Sequence, residues 1–417
     1  MSKPLKSILL FSLLASFTLA QTEIEFATWG GTEDLAIYED LIAEFEAEHP
    51  EIDIVLNHIP SAGDYEQNLA TLIAAGAAPD VFFINNISLP GFAAQGAFMP
   101  LEEFAGEEFL SDFFEGHLDA FRYQGELMAI PRDISNLVLF YNQDMFEEAG
   151  IEPPTDDWTW DDFLSAAQAL TQDTDGDGQV DQFGFGYSTY YLFWQPWVWS
   201  NGGEFFAEDH SEFTLDQGAG LEGLQYYVDL RCEENVAPTS EQAAERNAAS
   251  MFAEGDAAMI VDGRWRVAPL NSDPAVDFQW DVALFPHGEA GSIVDIDGSG
   301  WGISSSSDAP EAAWEFIQFV SSPEAMERWT EAGIIIPARR SVGLSQSFIT
   351  PDVPPASDEV FIEANETAIP TETFEGWGEF VNLLNEGMSE VWLCETSVEE
   401  GLSIIQEDVE DLLSDYQ

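Results

Sequence analysis

The chain has 417 residues, with 79 acidic side chains against 11 lysines and arginines and a formal net charge of −68. So negative a field repels nucleic acid and anionic membrane surfaces, which excludes both as partners. The length exceeds what one hydrophobic core supports, so two domains are the default expectation. Acids run along the whole chain, and Lys3 and Lys6 are its only lysines. That spread fits a surface solvated for molar salt better than it fits attraction of a cationic ligand.

The chain opens with Lys3 and Lys6, an apolar run from Ile8 to Leu14, and Thr18-Leu19-Ala20 before Gln21. This is the pattern of a secretory signal over residues 1–20, and the run is short for a span of about 20 residues. No cysteine lies at the junction, so the mature protein is expected free in a periplasm or secreted. Ile24 to Trp29 alternates like a strand and breaks at Gly30-Gly31. Thr32 then caps a helix whose apolar face is Leu35, Tyr38, Leu41, Ile42 and Phe45. Ile52 to Leu56 reads as a strand, Tyr65 to Ala75 as a helix, and Val81 to Ile84 as a buried strand. This β-α-β-α-β order predicts a doubly wound, largely parallel sheet.

A second α/β region follows. Leu137 to Tyr141, Ala257 to Val261 and Val282 to Phe285 are strand-like. Helices are expected at Trp160–Leu170, Leu221–Leu230, Pro310–Val320, Pro323–Ala332, Phe361–Thr367, Gly378–Trp392 and Val398–Leu413. Pro351 to Asp358 is the one linker-like segment, and no internal repeat is found.

The third predicted strand stops at Asn85-Asn86, two amides that both donate and accept. Ligands of open α/β sheets sit beyond the carboxyl ends of the strands, so these amides stand where a polar ligand is met. Tyr187 to Trp199, YSTYYLFWQPWVW, is too aromatic for an ordinary exposed loop. It marks Trp194, Trp197 and Trp199 as candidates for a ligand face, with a core cluster as the alternative. Asp173, Asp175, Asp177 and Asp181 fit the start of a calcium loop, although Gly184 stands where the bidentate Glu belongs. Calcium is therefore a candidate, beside a plain acidic turn. No HExxH, GxSxG or GxxxxGK[ST] occurs, and the five histidines lack metal-ligand spacing. Gly218 to Gly223 matches GxGxxG without a convincing strand before it.

Several blocks, in order, resemble the family 1 extracellular solute-binding proteins, the sugar receptors of ABC importers, of the maltose-binding-protein type. They include Ala78-Pro79-Asp80-Val81 through Gln95-Gly96 to Leu101, and Ala129-Ile130-Pro131-Arg132-Asp133-Ile134-Ser135-Asn136 to Asn142. Trp158 to Phe163, Met259 to Trp265, Gly300 to Ser304 and Ile336 to Arg339 follow. The resemblance implies two doubly wound α/β lobes joined by a three-crossing hinge, the type II periplasmic binding protein fold. It implies lobes of residues 21–128 with 299–336, and of 129–298 with 337–417. The crossings are then expected near Leu127–Pro131, Ile296–Gly300 and Ile336–Arg339. Cys232 and Cys394 would share one lobe, with their pairing open.

The resemblance also implies a cleft that binds a sugar or other polar solute, a permease as partner, a monomer and no required cofactor. Expected ligand contacts are Trp29, Gly31, Glu33 and Asp34 after the first strand, and Asn85 and Asn86 after the third. Arg132, Asp133, Ser135 and Asn136 are expected on the first crossing, and Gly298, Ser299 and Trp301 on the second. Trp265 stands at a strand-end turn, as the family places a tryptophan. Arg339 and Trp377 complete the set. A secreted glycan-active enzyme and a sensory ligand-binding subunit are the alternative readings.

Overall fold

The computed structural model describes residues 21–416, apart from 208, 209, 351, 372 and 375. The basic start, apolar run and expected cleavage site lie outside the described residues.

The first strands and helices alternate as predicted: Thr22–Thr28 (β1), Thr32–Glu48 (α1), Ile52–His58 (β2), Ala62–Ala74 (α2) and Val81–Asn85 (β3). Next come Ala129–Ser135 (β4) and Leu137–Asn142 (β5), separated by Asn136 alone. Trp160–Leu170 (α3), Phe183–Phe185 (β6), Tyr191–Ser200 (α4) and Gly218–Cys232 (α5) continue the chain. They are followed by Ser240–Glu245 (α6), Ala248–Ala253 (α7), Ala257–Gly263 (β7), Trp280–Ala283 (β8) and Asp295–Ile303 (β9). Pro310–Val320 (α8), Pro323–Glu331 (α9) and Ile336–Pro337 (β10) lead to Ile369–Pro370 (β11), Trp377–Met388 (α10) and Val398–Asp415 (α11).

Two sheets carry two cores. One sheet runs β10-β4-β9-β3-β1-β2, with β11 added on β9; the other runs β8-β5-β7-β6. Phe26, Tyr38, Phe45, Phe83, Trp301 and Trp329 anchor the first core. Phe140, Trp194, Trp197, Tyr227, Met259 and Leu402 anchor the second. The largely parallel expectation holds for β2-β1-β3 and for β6-β7. Strand β9 enters this sheet from the other lobe and runs antiparallel to β3 and β4 on its two sides, and β10 is antiparallel to β4.

The lobe limits differ from the expected ones. Residues 129–135 form β4 of the first sheet, so the chain leaves that lobe at Asn136 rather than near Leu127–Pro131. The second crossing ends where β9 begins: Val294 belongs to the second core and Trp301 to the first. After β10, Ala338 and Val342 still pack in the first core, and Phe348 is back in the second. The segments mistaken for crossings, AIPRDIS and DIDGSGWGI, hide as strands because they carry proline, glycine and acids. Gly298 permits the approach of β9 to β4, since a Cβ there would meet the Asp133 carbonyl oxygen at 2.5 Å.

Cys232 and Cys394 are disulfide-bonded, with Cα atoms 5.6 Å apart. The bond ties the end of α5 to the turn before α11.

Candidate functional site

The carboxyl edge of the first sheet gathers polar groups from three strands. Asn85, the last residue of β3, donates to Asp297 Oδ1 at 2.7 Å and accepts from the Ile87 amide at 2.8 Å. Asn86 is buried and clamps the second crossing: its side chain donates to the Ile296 carbonyl and accepts from the Gly298 amide. The two predicted amides thus stand at the right edge, but Asn86 holds backbone and offers nothing outward. Ser88 donates to Glu66 of α2 at 2.8 Å. Trp29, at the end of β1, is half-buried against Tyr65 and Phe83, with ring centroids 5.1 and 4.6 Å away.

Arg132 and Asp133 are corrected from ligand contacts to internal struts. Arg132 is buried, and its guanidinium pairs with Asp34 at 3.1 Å and Asp133 at 2.6 Å while lying over the Phe83 ring. Asp133 also accepts from the Ser299 amide, which ties β4 to β9. Asp34 accepts from the Gly31 amide at 3.2 Å, which ties up that N–H at the helix start while Gly31 itself stays exposed. Glu33 is exposed and Ser135 half-buried. Asn136 is fully buried and donates to the Phe361 carbonyl and to Asn365. It pins the crossing, not a ligand. Arg339 is buried between Phe109 and Phe113 and bonds Asp112 and the Ser321 carbonyl. Trp301 faces the core, where Nε1 donates to the Tyr38 hydroxyl. The β alternation of β9 turns it away from any ligand.

In the second lobe, Trp194 and Trp197 are 1% and 0% exposed and pack inside the core. Both belong to α4, whose described side chains from Trp194 to Ser200 are all buried. The aromatic run is therefore a core helix, and the alternative reading prevails for its tryptophans. What it presents outward is Tyr190, its N-cap, at 49% exposure. Burial of its hydroxyl pushes the Tyr190 pKa up, and the charges of Asp297, Asp295 and Glu66 add to the shift. These three acids of the first lobe thus act on the hydroxyl of a tyrosine carried by the second. Its ring lies against Tyr191 at 4.6 Å, and Trp377 Nε1 meets the Tyr191 hydroxyl at 3.5 Å. Trp377 is buried, so it supports the tyrosines from behind. Trp265 is half-buried in the turn that ends β7. Its ring folds over Gly263, where a Cβ would meet it at 2.3 Å.

The sequence pattern of the bacterial extracellular solute-binding proteins matches residues 29–327. The chain belongs to this family. An arabinooligosaccharide-binding protein of Halalkalibacterium halodurans is 26% identical over 330 residues, covering 75% of this chain and 70% of the relative. The xylose/arabinose-binding protein of Haloferax volcanii is 24% identical, covering 76% and 70%. An ABC substrate-binding protein of Listeria monocytogenes, solved in complex with cycloalternan, superposes with a TM-score of 0.82 at 25% identity. That likeness covers 94% of this solute-binding protein and 99% of the other chain.

The residues that sequence reasoning missed in this solute-binding protein are Tyr190, Glu66, Ser88 and Asp297. Their signals were present but weak: a tyrosine just before an apolar helix, and two acids lost in a total of 79. Asp297 is the central one. Desolvation pushes its carboxyl up to about 6, helped by Asp133 and Glu66 and opposed by the bond from Asn85. Burial also pushes Glu66 up, against the bond from Ser88. The Asp297 pKa in the fold exceeds its ordinary 3.8, so folding takes up a proton between those values. Stability from this group is present below about pH 4 and lost as pH rises through 6. Asp297→Asn keeps the acceptor for Asn85 and removes the titration. Its unfolding free energy is expected to fall less than that of the parent between pH 4 and 6.5, by about 2–3 kcal/mol. Parallel pH profiles in chemical denaturation would show that Asp297 is not desolvated.

The acidic loop between α3 and β6 is exposed. Oxygens of Asp173, Asp175 and Asp177 come within 4.8 Å of one another. Asp181 instead accepts from the Thr174 amide and hydroxyl at 2.9 and 2.8 Å. The twelfth loop position, Gly184, packs on Ala167, where a Cβ would meet the backbone oxygen at 2.0 Å. No side chain fits there to complete a calcium loop. Among the described residues, no helix is long and apolar enough to cross a membrane.

Proposed function

We propose that this solute-binding protein is the receptor of an ABC importer, takes a sugar or short oligosaccharide between its lobes, and passes it to a membrane permease. It works as a monomer, free in a periplasm or outside the cell. The observation that carries this is the pairing of surfaces. Planar polar groups of Asn85, Asp297 and Glu66 stand on one lobe, and the other presents the exposed Tyr190, backed by Tyr191 and Trp377, whose hydroxyl feels the charges of Asp297 and Glu66. Sugars present hydroxyls in pairs and apolar C–H faces, which such surfaces match. The named sugars of its relatives support the same class.

In the mechanism, an open protein receives the sugar on Trp29, Asn85 and Asp297. The second lobe then brings Tyr190 and Trp265 over it. Closure is driven only by the extra contacts that the closed state makes. The chemistry is binding: no bond of the sugar is broken, and no cofactor takes part.

Thermal unfolding against mono- and oligosaccharides, glycerol phosphates and polyamines tests the class. A ligand at 100 times its Kd adds about 2.7 kcal/mol and raises Tm. A hit confined to polyamines would overturn the sugar reading. Trp265→Ala is expected to weaken the sugar that hits by about 1–3 kcal/mol. An unchanged Kd would remove Trp265 from the site.

A further inference from the structure

Nine arginines lie past residue 20, and seven of them come within ion-pair distance of a carboxylate. Arg340 is exposed and lies over the Phe114 ring. Arg231 is different. It is 5% exposed, and among the described residues no acid pairs with it. Its guanidinium carbon sits 3.9 Å from the centre of the Tyr187 ring. One terminal nitrogen bonds the Ser240 hydroxyl and the Trp392 carbonyl, both at 3.2 Å, and Nε has no partner. The Tyr187 hydroxyl is also buried without a partner. A buried guanidinium without an anion is unfavourable, and stacking on tyrosine offsets only part of that cost.

Both residues line a cavity of about 520 Å³, within the range of small-molecule sites. Aromatic faces of Phe193 and Trp392 line it too, and Ala243, Ala244 and Ala248 of α6 and α7 leave it roomy. Its carboxylate, Asp262, is held by Arg266 at 2.8 Å, so the charge of Arg231 is the uncompensated one. Glu241 and Glu245 line a neighbouring cavity that shares the wall of Arg231. The cavity is linked along the chain to the proposed cleft: its lining residues Thr189 and Arg266 directly precede Tyr190 and follow Trp265.

We propose that this cavity is a subsite for a carboxylate on the bound sugar, so that the ligand carries a uronic acid unit. The proposal rests on the sugar-receptor reading. A guanidinium gives a carboxylate a charge-assisted hydrogen bond, about twice as strong as a neutral one. One uncompensated positive charge fits one carboxylate better than a doubly charged phosphate, and the aromatic walls suit a sugar ring.

The test is calorimetry on the intact, disulfide-bonded protein with matched pairs. Trigalacturonate is set against galactotriose of the same linkage, and glucuronosyl-xylotriose against xylotriose. The acidic member of at least one pair is expected to bind about ten times more tightly, or better, than its neutral counterpart. Arg231→Gln should abolish that preference and leave neutral affinity within about twofold. Arg231→Lys, which keeps the positive charge, should retain part of the preference and spare the neutral ligand. Equal affinities for acid and neutral members, or a preference that survives Arg231→Gln, would overturn the subsite and leave the receptor reading intact. Binding of neutral sugars alone would do the same. If no sugar of either kind binds here or in the wider panel, the receptor reading falls and the subsite falls with it.

Discussion

Asp358→Ala is expected to lower the unfolding free energy by about 3–5 kcal/mol, because it strands a buried charge. Asp358 is 0% exposed and pairs with Arg264, itself 4% exposed. The same carboxylate accepts from the Thr350 amide at 2.9 Å and its hydroxyl at 2.8 Å. Arg264 lies over the Phe348 and Phe361 rings, which offer the freed guanidinium no second anion. Burial already lowers the pKa of Arg264, and the charge of Asp358 opposes that shift. The effect should reach function, because Arg264 precedes Trp265 and fixes the start of its turn. Denaturant unfolding gives the stability, and Kd for the sugar gives the second reading. Asp358→Asn separates shape from charge and should recover part of the loss. A change under about 1 kcal/mol for the alanine variant would mean that the pair is dispensable.

Removal of the disulfide should cost about as much. The bond joins residues separated by 162 positions in sequence, and chain-entropy reasoning assigns about 5 kcal/mol to closing such a loop. Measured losses for native bonds run at about 2–5 kcal/mol, so that range is expected for Cys232→Ser with Cys394→Ser. The damage should be local. Both cysteines sit in the second lobe, and Trp392, two residues before Cys394, accepts bonds from Arg231 and Ser240. Hydrogen exchange should rise around α5 and the turn before α11, and stay unchanged in β1, β2 and β3. An unaltered Tm under reductant, with both thiols shown free, would contradict the expectation.

Much of the fold was legible because its periodicities are strong. Trp160–Leu170 and Pro310–Val320 form as read, since each opens on a clear start and buries one stripe. The unread parts have physical causes. Strands β4 and β9 lack a hydrophobic signature because their partners, not their side chains, define them: β9 is paired on both sides from Ser299 to Gly302. The candidate site was legible at its edges, at Asn85 and Trp29, and obscure in its chemistry. An arginine read as a ligand fork and one that braces two strands look alike in sequence. Arg132 and Arg339 proved to be braces because acids and aromatic rings from distant segments surround them. Tryptophans misled similarly: a run of them reads as a ligand platform or as a core, and only the direction of α4 decides.

The three passages between lobes leave from neighbouring strands, β10, β4 and β9, which lie side by side in one sheet. Mechanically that is a ribbon rather than a tether. Three attachments in a row resist twist about the long axis and resist sliding, while a swing about the line through them stays soft. Asn86 and Asp133 stiffen the ribbon by bolting β9 to its neighbours. A jaw mounted this way has essentially one track, so its two faces meet in the same register at every closure. Tyr190 would then return to the same station above Asp297 each time, and geometric selectivity becomes a property of the mounting as much as of the side chains.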